Sequence, residues 1–327
     1  MSNFSLYQRI TTQGTLSEPT GVPEPHFALP STVNWMRALA ILVADKDINF
    51  RSASSFYSIV QKRAFTQQEE NTVFEQLLFA IHQLSALEAL RSVACKSDVA
   101  RVGIVGWYYG IYAAASAMVA AQDGSIQDDH TGTANAWDRQ FAATGKIMLP
   151  FSMRVSTLVE AGYKTEIAIL KAENSYGLKI KPTNSTEAHG ACCEYLSGNA
   201  KWWKWKAEES IRASRDFKDL AVDDFRKKVA RELRDRRLSG KSVSFLHQAF
   251  RYRGKANYRD AVFLGYGHNV EALLTEYLDD LTTVLTAFIS MSGAFTCKRL
   301  GQRLWNEFLD DIEAHRSFHI SPKSVWS

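Results

Sequence analysis

Arg253, with Tyr258 five residues further on, His247 six residues before it and His268 beyond Arg259, is the grouping in this chain most able to do chemistry. A guanidinium presents a rigid fork that binds a phosphate through two parallel hydrogen bonds. Histidine is the side chain whose ordinary pKa suits proton transfer near neutrality. Together they would serve metal-independent cleavage of a phosphodiester, which needs a base for the attacking hydroxyl and a cation beside the phosphate. Tyr258, a phenol of ordinary pKa about 10, is a poor base and would position or donate instead. The plainer alternative has Arg253 and Tyr258 bracing helix ends and His247 lying on a helix face. His130 follows Asp128 and Asp129 and could bind a metal with them. A cap at Asp129 or Thr131, with His130 bonded to a neighbouring helix, accounts for the same residues.

Charge surrounds this grouping. Arg226, Lys227, Lys228, Arg231, Arg234, Arg236, Arg237, Lys241, Arg251, Arg253, Lys255 and Arg259 share their stretch with only two acids, Glu232 and Asp235. The segment carries +10, and the remaining 27 basic and 33 acidic residues carry −6. A local excess of this size attracts a polyanion, nucleic acid above all. Upstream, Lys201, Lys204 and Lys206 alternate with Trp202, Trp203 and Trp205. Indoles can stack on unpaired bases while ammonium groups meet phosphates. The same pattern suits a membrane-surface helix, an anchor for a protein partner, or a core-facing Trp pair with solvated lysines. Acids from Glu208 to Asp224 can pair at helical spacing with the first half of the basic segment, but the second half has none at hand.

The elements that must position these groups are helical. Period-two alternation is scarce and helical spacing is common, which predicts an all-α chain. Thr66 and Glu69 form a capping box ahead of a stripe from Val73 to Leu90, roughly five turns long. From Val102 to Gln122 there is no charge, enough length to cross a bilayer. Yet Trp107, Tyr108, Tyr109 and Tyr112 cluster inside it, away from the ends where interfacial aromatics belong. Gly106, Gly110 and Ala114, four apart, would admit a second helix closely. A buried central helix is therefore expected, capped by Gly124, with no second candidate span. Helices are also expected from Ser31 as N-cap to Asp45, from Phe151 to Asn174, through the charged segment, and from Asn269 to a bend or break at Gly293. Residues 1–30 read as an extended arm and 31–327 as one helical domain, ending in a helix over 294–318 and a frayed tail.

Composition narrows the classes. Hydrophobic residues make up 46% and charged residues 23%, as in soluble globular chains. Cys192 and Cys193 are adjacent and no Cys-x-x-Cys occurs, so buried thiols in a reducing compartment are expected rather than a zinc site with His189. No phosphate-binding glycine loop, H-E-x-x-H or G-x-S-x-G is present, and no metal or nucleotide cofactor is expected. The N-terminus lacks the basic start and apolar run of a secretory signal, which predicts a cytoplasmic protein.

Three stretches carry a family resemblance. "GWYYGIYAAASAMVAAQDG" resembles the central helix of HEPN domains. "DDHTGTANAWDRQF" is similar to that family's short helix that begins with a histidine and carries a later aromatic, here His130, Trp137 and Phe141. "RYRGKANYRD" is similar to its Arg-x-x-Ala-Asp-Tyr motif, with Arg253, Ala256 and Tyr258 in the matching places and Asn257 for Asp. The resemblance covers about 66–145 and 242–290 and leaves about 195–241 as a basic, Trp-rich insertion. It implies a compact antiparallel helical bundle, often dimeric, of prokaryotic toxin–antitoxin and defence systems. Active members are metal-independent endoribonucleases with an Arg-x(4–6)-His motif. No arginine here has a histidine at that spacing. The resemblance thus implies an RNA-directed protein, degenerate or partner-dependent as a nuclease, working with a protein partner or as a homodimer and without membrane insertion. The alternative is a non-catalytic adaptor whose Trp-rich segment holds a protein partner.

Overall fold

The computed structural model describes residues 25–257, 262–265 and 271–327. Their regular structure is helical apart from one antiparallel bridge between Val155 and Val243. Three long helices form the centre: α3 (Gln67–Arg91), α4 (Ala100–Asp123) and α12 (Glu271–Leu300) pack on one another. Around them lie α1 (Pro25–Asp45), α2 (Phe50–Phe56), α5 (His130–Trp137) and α10 (Phe245–Asn257).

The capping box at α3 forms as its spacing predicts. Thr66 N–H donates to Glu69 Oε2 at 2.8 Å, and Glu69 N–H donates to Thr66 Oγ1 at 3.3 Å. Orphan donors of the first turn are thereby satisfied. Helix α4, uncharged from Val102 to Gln122, is largely buried and ends at Gly124, whose φ of 80° is a left-handed cap. Close approach to its neighbours depends on Gly103 and Gly110, two turns apart. A Cβ on Gly110 would stand 2.8 Å from Leu285, and one on Gly103 2.9 Å from Leu278, both on α12. Gly106 is looser, with Gln83 at 3.4 Å. By length and composition both α4 and α12 could cross a membrane, so a second such helix exists where none was expected. In each, most of the apolar window is buried within the fold, 72% and 89%.

Other expectations need correction. Gly293 does not split α12, which runs unbroken over Glu271–Leu300. Its missing side chain makes room for the indole of Trp326, which donates to Ile289 O at 3.1 Å. The C-terminus is accordingly not frayed: α14 (Pro322–Trp326), beyond α13 (Gln302–His315), buries Trp326. The first helix starts at Pro25, so Ser31 lies inside it. Residues 151–159 are not helical, because Val155 exchanges backbone hydrogen bonds of 3.0 Å with Val243, and α6 runs only over Glu160–Lys171. The expected cap at Asn269 lies outside the described residues.

The charged segment builds a second, smaller core. Here α6, α7 (Ser185–Ala213), α8 (Arg215–Lys218) and α9 (Lys228–Ser239) gather Val155, Leu158, Leu196, Phe217, Leu233, Leu238 and Val243. Helix α7 reaches from that cluster to α1 and α10, and so carries the tryptophans toward Arg253. The short α11 (Val262–Gly265) follows α10.

Candidate functional site

Arg253 projects from α10 over aromatic faces of α4 and of its own helix. Its guanidinium carbon lies 5.1 Å from the ring centres of Tyr108 and Phe250. From there Nη1 donates to the Tyr109 hydroxyl at 3.5 Å and stands 3.4 Å from His130 Nε2. His130 is the first residue of α5, and Asp129 caps that helix by accepting from Gly132 N–H at 2.7 Å. The imidazole packs edge-on against Tyr112, ring centres 4.4 Å apart.

This arrangement fixes the histidine's state. An arginine has no acceptor, so His130 Nε2 accepts, and the ring is neutral with its proton on Nδ1. Burial, then the Arg253 charge, hold the His130 pKa below its ordinary 6.5, and the Asp129 charge opposes them. A neutral imidazole beside a guanidinium is a base beside an anion site. His130 Nδ1 and Arg253 Nε are both buried without a partner among the described residues. Buried donors are nearly always satisfied, so each of these two is a donor that an acceptor would complete.

His247 is elsewhere engaged. It is 3% exposed; Ser244 N–H donates to Nδ1 at 3.2 Å, and Nε2 meets Asn135 Oδ1 at 3.1 Å. Its pKa is pushed down to about 4, mostly by burial and further by Arg154, with Asp138 opposing. Tyr258, Arg259 and His268 lie outside the described residues, as does the side chain of Lys255.

The Trp-rich helix flanks the pair. Trp203 lies 6.2 Å from Phe250 and 5.5 Å from His247, ring centre to ring centre. Trp202 stands between Lys206 at 5.3 Å and Arg251 at 5.1 Å, two cation–π contacts. Lys201 and Trp205 are exposed. Lys204 is not a free cation: it is held between Glu208 at 2.9 Å and Glu160 at 3.3 Å.

The basic segment is likewise less naked than its sequence. Arg226 pairs with Asp224 at 3.2 Å, Arg234 with Asp235 at 2.8 Å, Arg237 with Asp216, and Lys228 weakly with Glu232 at 3.8 Å. Lys227, Arg231, Arg236 and Lys241 are exposed and meet no carboxylate among the described residues.

Beside the pair opens a cavity of about 700 Å³. Its walls come from α5 (Thr131, Asn135), the π-helical turn Asp138–Ala142 that follows it (Arg139), α7 (Trp203, Lys206, Ser210) and the turn before α10 (Lys241, Ser242). Arg154 also lines it, joined to buried Asp138 through both carboxylate oxygens at 2.9 and 3.0 Å. Another cavity, of about 610 Å³, is lined by Asp45 and Glu173 as well as Lys46 and Lys171, so its charges balance.

The Arg253–His130 contact joins positions 123 residues apart, and no spacing rule reaches across that separation. The cavity did leave a local trace: Thr131 and Asn135, four apart, are polar positions on one helix face. No family model, curated protein or solved structure matches this chain.

Proposed function

We propose that this protein is a HEPN-like, RNA-directed protein of a prokaryotic defence or toxin system, and that Arg253 and His130 form a metal-independent endoribonuclease site. The carrying observation is the 3.4 Å approach of the Arg253 guanidinium to a neutral His130 imidazole, with the Tyr109 hydroxyl on the same nitrogen. The order of the three HEPN-like stretches supports it, with the histidine supplied by the short helix rather than by the arginine's own helix.

In this reading a phosphodiester lies on Arg253, which holds two of its oxygens and offsets the charge that gathers in the transition state. As the Arg253 guanidinium turns onto the phosphate it frees His130 Nε2, the acceptor it held at 3.4 Å, and Nε2 takes the proton of the ribose 2′-hydroxyl. The 2′ oxygen bonds to phosphorus as the bond to the 5′ oxygen breaks, leaving a 2′,3′-cyclic phosphate. Tyr109, 39% exposed, supplies a proton to the departing 5′ oxygen and regains one from water. His130 returns its proton to solvent.

The test is cleavage of single-stranded RNA at low salt with a chelator present. Products ending in a 2′,3′-cyclic phosphate are expected. His130→Ala should slow the reaction by about 10²–10⁴-fold, the usual worth of a general base, while RNA binding persists. A wild-type protein that neither binds nor cuts RNA overturns the proposal. The adaptor alternative rests on Trp205, a large aromatic 51% exposed that could anchor a partner. Assembly with a protein partner that Trp205→Ala abolishes, without RNA binding or cleavage, would favour it.

A further inference from the structure

The cavity beside Arg253 and His130 has a chemistry of its own. One wall is apolar, with Trp203 and Ala207 packed on the cluster that holds Leu158, and the Lys206 ammonium lies 5.2 Å from the Trp203 ring centre. The rim is cationic. Lys206 and Lys241 are exposed and without a carboxylate partner among the described residues, and Arg139 across the opening is likewise exposed. The fourth cation, Arg154, is spent on Asp138, which also accepts from Ser242 Oγ at 2.6 Å. The one carboxylate in the wall is therefore neutralised and does not repel an anion.

Hydrogen-bonding capacity is oriented as well. Ser244 N–H donates to His247 Nδ1, so the His247 proton must sit on Nε2. That proton needs an acceptor, which fixes Asn135 with Oδ1 toward the histidine and its amide NH₂ turned away. Asn135 is exposed and lines the cavity, so two N–H donors are offered there. The Trp203 indole N–H is also buried without a partner among the described residues.

We propose that this cavity binds a nucleoside monophosphate unit, with its phosphate between Lys206 and Lys241, its base against Trp203 and its polar edge on Asn135. An aromatic platform, an amide donor and paired cations in one hollow match the three parts of such a unit. The inference extends the proposed RNA site. Asn135 lies five residues beyond His130 on α5, about 7.5 Å along the axis at 1.5 Å per residue, so a strand with a phosphate on Arg253 can place an adjoining nucleotide here. A free nucleotide presents the same chemistry, and the experiment separates the two sources.

Binding of AMP, GMP, CMP and UMP, of inorganic phosphate, and of a short single-stranded RNA is measured by calorimetry and by tryptophan fluorescence. The variants are Lys206→Ala/Lys241→Ala and Asn135→Asp. Both lysines and the asparagine are exposed, so these variants should fold, which circular dichroism checks. Two lost charge-assisted contacts should weaken binding by about tenfold or more. Mononucleotide affinity that falls in both variants supports the proposal with a free nucleotide as sufficient ligand. No mononucleotide binding, but RNA affinity that falls tenfold in both, supports it with the unit supplied by the strand. Phosphate binding as tight as the mononucleotides overturns the base contact and with it the proposal. RNA and mononucleotide binding unchanged in the lysine variant also overturns it. Arg253→Gln keeps the failures distinct: it should end RNA cleavage yet leave mononucleotide affinity within about twofold. Mononucleotide binding without any cleavage would sink the nuclease reading and leave this site standing.

Discussion

Two buried titrating side chains pull the stability of this protein in opposite directions. His247 has a pKa pushed down to about 4, so the folded state refuses a proton that the unfolded chain accepts from pH 6.5 downward. Acidification from 6.5 to 4 therefore removes stability. Asp280 on α12 is 3% exposed and its pKa is pushed up to about 6, chiefly by burial and slightly by Glu276, against the nearby Arg37 and Lys181 charges. The folded state holds that proton more readily than the unfolded chain, so falling pH adds stability between 6 and 3.8. Each displacement is worth on the order of 3 kcal/mol, and the two largely offset. Urea midpoints at pH 6.5 and 4.5 should thus differ little in the wild type from this source. His247→Gln should gain stability on acidification relative to wild type, and Asp280→Asn should lose it. Parallel behaviour of all three proteins would refute the assignment. At this scale the sequence was partly legible. Arg253 and His130 each stood out by type and by family-like context, but their meeting depends on how α5 and α10 pack on α4. His247 shared a helix with Arg253, yet Ser244 and Asn135 occupy its ring nitrogens.

Helix contacts explain which expectations held for the elements. Signals confined to a few neighbouring residues survived: the Thr66–Glu69 box, the Gly124 cap and the Asp129 cap all form. Signals that depend on a distant partner did not. Val155 left helical geometry to pair with Val243, and Gly293 stayed helical because Trp326 fills its space. The same reasoning separates the glycines of α4. At Gly110 a methyl group would meet both Leu285 methyls at 2.8 Å in a packed interface, where overfilling costs about 1–3 kcal/mol. At Gly106 it would meet only the Gln83 side-chain oxygen at 3.4 Å, and replacing a helix-interior glycine with alanine gains up to about 1 kcal/mol of backbone entropy. Gly110→Ala should therefore lower the urea midpoint, and Gly106→Ala should keep or raise it, with unchanged slopes. Equal destabilisation by both would show that the α4–α12 approach does not depend on Gly110.

Charge is the property in which the whole molecule departs most from its linear sequence. The +10 of residues 226–259 suggests a continuous cationic face, but folding brings Asp216 against Arg237, Asp224 against Arg226, and Glu208 within 3.8 Å of Arg234. These acids lie outside the basic run, among those from Glu208 to Asp224 that the sequence offers as partners for its first half. What remains for a polyanion on α9 and the residue before it is Lys227, Arg231 and Arg236, together with the cavity lysines. RNA affinity offers a direct reading, because each phosphate a cation neutralises releases counterions and steepens the salt dependence by about 0.7 for a single strand. Replacing Arg234 and Arg237 with alanine should leave that slope unchanged, since both already face carboxylates. Replacing Lys227, Arg231 and Arg236 should flatten it by about two units if all three meet phosphates. An equal loss of slope in the two variants would mean that Glu208 and Asp216 do not shield the surface, and that the linear charge pattern describes the binding face after all.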